Sequence, residues 1–137
     1  MKIDKAILYT DGASRGNPGP AAIGVVIKDG QGRVLARISR RIGRTTNNQA
    51  EYRAIIAALE EALRLGTARV EVKSDSELAV KQINGRYRVK NPGLRPLHQR
   101  VRELRHSFQS FAITSISRRQ NVEADRLSNA ALDSAVD

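Results

Sequence analysis

The sequence predicts an α/β fold built on a five-stranded mixed sheet, three antiparallel strands then two parallel ones, with helices on both faces. Two observations carry this. The first 45 residues hold three apolar, β-branched-rich runs divided by clusters of Gly, Pro, Asn and Asp, the pattern of a strand meander. After them, apolar residues at helical spacing alternate with short strand-like runs, in the order β-β-β-α-β-α-α-β-α. A strand–helix–strand unit added to a meander requires both antiparallel and parallel pairs.

Each element has a local reason. Ala6 to Thr10 is the first strand, read as ending at Asp11-Gly12, a good turn pair. Arg15 to Pro20 is dense in turn residues, and Ala21 to Lys28 is a second run rich in Ile and Val. Asp29-Gly30-Gln31-Gly32 suits a hairpin connection. From Arg33 to Gly43 the chain alternates, with Val34, Ala36, Ile38 and Ile42 apolar between arginines, so one face is exposed and basic. Thr46 with Gln49, and Asn48 with Glu51, both fit a capping box ahead of a long helix. Its stripe is Ala50, Ala54, Ala57, Ala58, Ala62 and Leu65, and Gly66 stops it. Arg69 to Lys73 is the fourth strand, Ser76 caps a short helix over Leu78 to Ile83, and Pro92-Gly93 breaks the chain. Leu94, Leu97, Val101 and Leu104 mark a third helix, and Phe111, Ile113 and Ile116 the last strand. Asn121 is placed as the cap of a final helix through Ala124, Ser128, Ala131 and Leu132.

The chain of 137 residues is read as one domain, 1–137, and buries about two-thirds of its unfolded surface. It has no cysteine, which excludes disulfides, thiolate catalysis and Cys-ligated metal. No apolar run reaches the length of a membrane span, and the N-terminus lacks a secretory core; the expected location is the cytoplasm. The net charge is +10, from 24 Lys+Arg against 14 Asp+Glu, and most of the cations are arginine. Guanidinium forks suit phosphates, so the excess points to a polyanionic partner, nucleic acid above all. No basic amphipathic anchor favours a membrane.

Four acids stand out against that background. Asp11 closes the first strand, Glu51 is read in the first turn of the long helix on its core-facing stripe, Asp75 follows the fourth strand, and Asp125 opens the last helix. Singly, each has a structural explanation as a turn residue, a cap or a partner of a helix N-terminus. Ligands of mixed sheets gather beyond the carboxyl ends of strands, and the topology would bring these acids to one such end. Two unit charges about 4 Å apart repel by roughly 4 kcal/mol at an effective dielectric of 20. Such a gathering calls for a hard divalent cation, for which oxygen ligands are the natural choice.

The motifs resemble those of type 1 ribonuclease H. Tyr9-Thr10-Asp11-Gly12-Ala13 with Gly16-Asn17-Pro18-Gly19-Pro20, then Thr45 to Tyr52, then Lys73-Ser74-Asp75-Ser76, then Asn121 to Ser128 match its four signatures in order and spacing. The resemblance covers Ile7 to Leu132. It implies a ribonuclease H-like fold and hydrolysis of the RNA strand of an RNA–DNA hybrid to 5′-phosphate and 3′-hydroxyl ends. It implies that Asp11, Glu51, Asp75 and Asp125 are the catalytic, metal-binding acids. Two Mg²⁺ ions would be held with substrate, with Mn²⁺ as a substitute. A pair of such ions can clamp an in-line displacement.

The same resemblance assigns substrate contacts to Gly12, Ser14, Asn17, Thr46, Asn47 and Asn48. Amides can read the 2′-hydroxyl that separates RNA from DNA, and Thr46 would help hold a DNA-strand phosphate. The chain departs from the pattern in three places. Many relatives carry a histidine before the last helix; here the loop is Ser117-Arg118-Arg119-Gln120, and Arg118 is the candidate auxiliary group, electrostatic rather than basic. Glu77 stands where some relatives have a glutamine that contacts RNA. The segment from Gly85 to Leu97 is short, its basic residues Arg86, Arg88, Lys90 and Arg95 standing in for a longer basic loop. A monomer acting on hybrids is expected, with double-stranded RNA as a second candidate substrate. The alternative is a hybrid- or duplex-binding module whose acids are structural.

Overall fold

A computed structural model describes residues 3–134; the ends of the predicted 1–137 domain lie outside the described residues. The sheet is built from β1 (Ile3–Ser14), β2 (Gly19–Asp29), β3 (Val34–Thr45), β4 (Thr67–Ser74) and β5 (Ser110–Ser115). The helices are α1 (Asn47–Arg64), α2 (Glu77–Ile83), α3 (Arg95–Arg105) and α4 (Val122–Asp133), the last preceded by a 3₁₀ turn, Arg118–Asn121. Strand order is β3-β2-β1-β4-β5. β1–β2 and β2–β3 are antiparallel, and β1–β4 and β4–β5 are parallel. The predicted five-stranded mixed sheet is the one observed.

One face of the sheet carries the main core. Leu8, Val25, Ile27 and Val72 pack there against Tyr52, Ile55 and Leu59 of α1 and Val101 and Leu104 of α3. α4 covers the other face through a smaller cluster of Ala22, Ala131 and Leu132. The alanine stripe of α1 explains its close seat on the strands, since Ala50, Ala54 and Ala58 are fully buried. The Thr46–Gln49 capping box forms in both directions. Gly66 ends the helix at φ +79°, a conformation glycine adopts without penalty.

Three local expectations are corrected. β1 does not stop at Asp11: it pairs with β2 as far as Ser14↔Ala21, so Asp11 is a strand residue. Glu51 is not in the first turn of α1; the helix begins at Asn47, which puts Glu51 one turn deeper, and the Asn48–Glu51 capping box does not form. Asn121 occupies the position before α4 but makes no side-chain cap. The 3₁₀ turn has its own capping box, Ser117 with Gln120, so the Asn121 amide is free to donate elsewhere. It donates to the Thr10 carbonyl at 2.8 Å.

Candidate active site

The site lies where β1 outruns β4. β4 pairs with β1 only as far as Thr10↔Ser74, which leaves the next stretch of β1 backbone open to side chains. Glu51 uses that opening: its Oε1 accepts the Gly12 N–H at 3.0 Å. The approach depends on Gly12, because a Cβ there would lie 2.2 Å from the backbone of Ala50 and 2.4 Å from the Glu51 nitrogen. On β2, Gly24 is the partner of Asp11. A Cβ at Gly24 would lie 2.0 Å from the Ala124 carbonyl oxygen and 2.7 Å from the Ser128 nitrogen. Two glycines thus admit a helix from each side of the sheet, α1 against Gly12 and α4 against Gly24, with Asp11 between them.

Asp11, Glu51 and Asp75 converge: each offers a carboxylate oxygen, and these oxygens lie within 4.8 Å of one another. Asp11 and Glu51 are buried and Asp75 half-buried. Among the described residues no lysine or arginine forms an ion pair with any of the three. Asp125 stands outside this trio, half-buried, with its Oδ1 accepting from Asn129 Nδ2 at 3.3 Å. It is still near enough to act on Asp11. Burial pushes the Asp11 carboxyl up to about 6; the Ser128 hydroxyl opposes the rise, the charges of Asp75 and Asp125 add to it, and Arg118 draws it down. Burial, then the charges of Asp11 and Asp75, hold the Glu51 carboxyl well above the usual range, against the Gly12 N–H. Ser76, not Asp75, caps α2, accepting from the Ala79 N–H at 3.2 Å, so the Asp75 carboxylate is not needed for the helix.

This arrangement fits a divalent cation. The donors are all oxygen, two of the three are withdrawn from water, and among the described residues their mutual repulsion is eased only at a distance, by Arg118, with no ion pair. A cleft of about 610 Å³ opens over Glu51 and Asp75, walled by Asn47, by Ser76 and Glu77, and by Ser115 to Arg118. Arg118 and Glu77 are exposed on its rim.

The remaining predicted residues divide by what their polar groups already do. The Asn17 side chain accepts the Asn47 backbone N–H at 3.1 Å, tying the β1–β2 loop to the start of α1. Asn47 and Asn48 are exposed. The Thr46 hydroxyl caps α1, and the Ser14 hydroxyl lies among main-chain carbonyls, 2.8 Å from that of Thr45. Gly12 is buried, its N–H committed to Glu51. The sequence reading missed Ser128, whose Oγ lies 2.5 Å from Asp11 Oδ2, as well as Gly24 and the Asn121 tie. The signal for Ser128 was present as a hydroxyl on an otherwise apolar helical stripe.

Comparison with known proteins agrees with this fold. A family model described as reverse transcriptase-like matches residues 9–131. Ribonuclease HI of Halobacterium salinarum is 50% identical over 127 residues, 93% of this chain, and the chain spans 64% of that protein's length. The crystal structure of RNase H1 from the same archaeon superposes with a TM-score of 0.94 at 48% identity, over 96% of this chain and 99% of that one. LC11-RNase H1 in complex with an RNA/DNA hybrid gives 0.91 at 44% identity, over 96% and 99%. With the motifs, the sheet order and these likenesses in agreement, the chain belongs to the type 1 ribonuclease H family.

Proposed function

We propose that this chain is a metal-dependent endoribonuclease that hydrolyses the RNA strand of RNA–DNA hybrids, leaving 5′-phosphate and 3′-hydroxyl ends. The observation that carries the reading is the convergence of Asp11, Glu51 and Asp75, with no ion pair to any of them among the described residues. A +10 protein that gives three clustered acids no ion pair among the described residues is arranged for a cation from solution. The hybrid bound by LC11-RNase H1 supports the choice of substrate.

Asp11, Glu51, Asp75 and Asp125 are the proposed metal ligands, with Mg²⁺ as the ion and Mn²⁺ as its substitute. Two bound ions would activate the attacking water and stabilise the leaving oxygen. Glu51 is oriented by the Gly12 N–H. Asn17, Asn47 and Asn48 are the proposed contacts to the RNA strand, with Asn17 also ordering the start of α1. Arg118, on the cleft rim, is the proposed auxiliary group, stabilising charge that develops on a phosphate oxygen. Since most contacts of this kind go to backbone, sequence preference is expected to be small. The catalytic unit is the domain 1–137 acting as a monomer.

The test is cleavage of an end-labelled RNA–DNA hybrid with Mg²⁺ or with EDTA, by wild type and by Asp11→Asn. Metal-dependent cutting of the RNA strand, abolished by the substitution, is the expected result. Tight binding without cutting, unaltered by the substitution, would leave a hybrid-binding module with structural acids.

A further inference from the structure

We propose that Ser128 is a positioning residue for the site: its hydroxyl fixes the Asp11 carboxylate and registers the turn of α4 bearing Asp125 against β1. The proposal rests on the reading of Asp11 as a metal ligand.

Ser128 is fully buried, on the α4 stripe otherwise made by Ala124, Ala131 and Leu132. A hydroxyl there gains nothing in packing over alanine and costs desolvation unless it is hydrogen-bonded. Its Oγ has two acceptors within reach, Asp11 Oδ2 at 2.5 Å and the Asp125 carbonyl at 2.9 Å. A hydroxyl has one hydrogen. The ionised carboxylate is the stronger acceptor, and 2.5 Å is the length of a charge-assisted O–H···O⁻ bond. The hydrogen therefore goes to Asp11 when that group is ionised. The Asp125 carbonyl keeps another donor, Asn129 Nδ2 at 3.0 Å.

The consequences are geometric. One lone pair of Asp11 Oδ2 is committed, and among the described residues no other side chain hydrogen-bonds to this carboxylate, so Oδ1 is left for a cation. The same contact joins the first of the proposed ligands to the helical turn that carries the last. Gly24 supplies the room, since any Cβ there would strike the Ala124 carbonyl and the Ser128 nitrogen. Asn121 anchors the preceding turn to Thr10. Partners that orient metal ligands in this way typically govern affinity for the ion.

The experiment uses the full chain with Ser128→Ala and with Ser128→Cys, which keeps nearly the volume but is a poor donor. Mn²⁺ binding is read by electron paramagnetic resonance without nucleic acid, and kcat and KM are measured on a hybrid. The expected result in both variants is Mn²⁺ affinity weakened about tenfold or more, with kcat reduced comparably at limiting metal. KM for the hybrid should stay within about twofold, because the hydroxyl does not face substrate. Folded variants that bind Mn²⁺ as wild type does and retain kcat would overturn the role of Ser128 alone. So would a loss of Mn²⁺ binding confined to variants unfolded at the assay temperature. If wild type itself binds no Mn²⁺, the metal reading falls and this proposal with it.

Discussion

Two glutamates of α1 show how differently one helix treats the same side chain. Glu61, near the helix end, takes a hydrogen bond and ion pair from Arg64, which hold its carboxyl below the usual range. Glu51 is buried near the start, faces two other acids, and is pushed the opposite way. The contrast extends beyond the helix. Glu71 is held low by Lys73 and Lys5, whereas Asp11, two residues along β1 from the Tyr9 position opposite Lys73, is raised. Glu61 and Glu71 are neutralised by cations of their own chain. The clustered acids form no ion pair among the described residues, so folding carries an electrostatic cost that the proposed cation would return.

The largest test of that comparison is Asp11→Asn. Cleavage should fall by orders of magnitude, while the metal-free protein becomes more resistant to thermal unfolding at pH 8, because an uncompensated buried charge is gone. Loss of both activity and stability would break the comparison. Gly12→Ala comes next: the added Cβ must push α1 from β1, destabilising the fold by about 3 kcal/mol in urea unfolding. Changing pH probes the same charges without mutation. Moving Asp11 from 3.8 to about 6 is worth roughly 2–3 kcal/mol. The folded-state value is raised, so the metal-free protein should lose this stability as pH climbs from about 4 through 6, and Mg²⁺ should restore it above that range. Cleavage should rise over the same window, with a midpoint that moves down as Mg²⁺ increases. The smallest effect belongs to Glu61→Gln, which should cost at most about 0.5 kcal/mol in thermal unfolding, as exposed i,i+3 pairs do, with no change in cleavage.

The same division explains what the sequence made legible. Strand and helix identities follow from local periodicity and turn chemistry, and these survive in the fold because few tertiary contacts oppose them. Boundaries were misread where a tertiary contact takes over from local preference. Asp11-Gly12 reads as a turn, yet β2 continues alongside it and pulls both residues into the sheet. Asn121 reads as a cap, yet a 3₁₀ turn already satisfies that end and Thr10 takes the amide. At the site, the carboxylates were visible as acids at element ends in a basic chain. The glycine at position 24 was not, and the hydroxyl at 128 showed only as a polar break in an apolar stripe, because their roles arise only when α4 lies across β2.

The arginines of β3 have a consequence for how the molecule behaves in company. β3 is one of the two edges of the sheet, a long strand whose outer backbone groups offer a template to any other extended chain. Arg37, Arg40, Arg41 and Arg44 are all exposed along it, and Gly43 bends it at φ +84° where the register with β2 shifts. A second copy arriving edge to edge would bring its own row of guanidinium groups against this one. The strand that makes the protein basic is therefore also a fence against self-association, and concentrated protein should stay dispersed most readily at low ionic strength, where that fence is least screened.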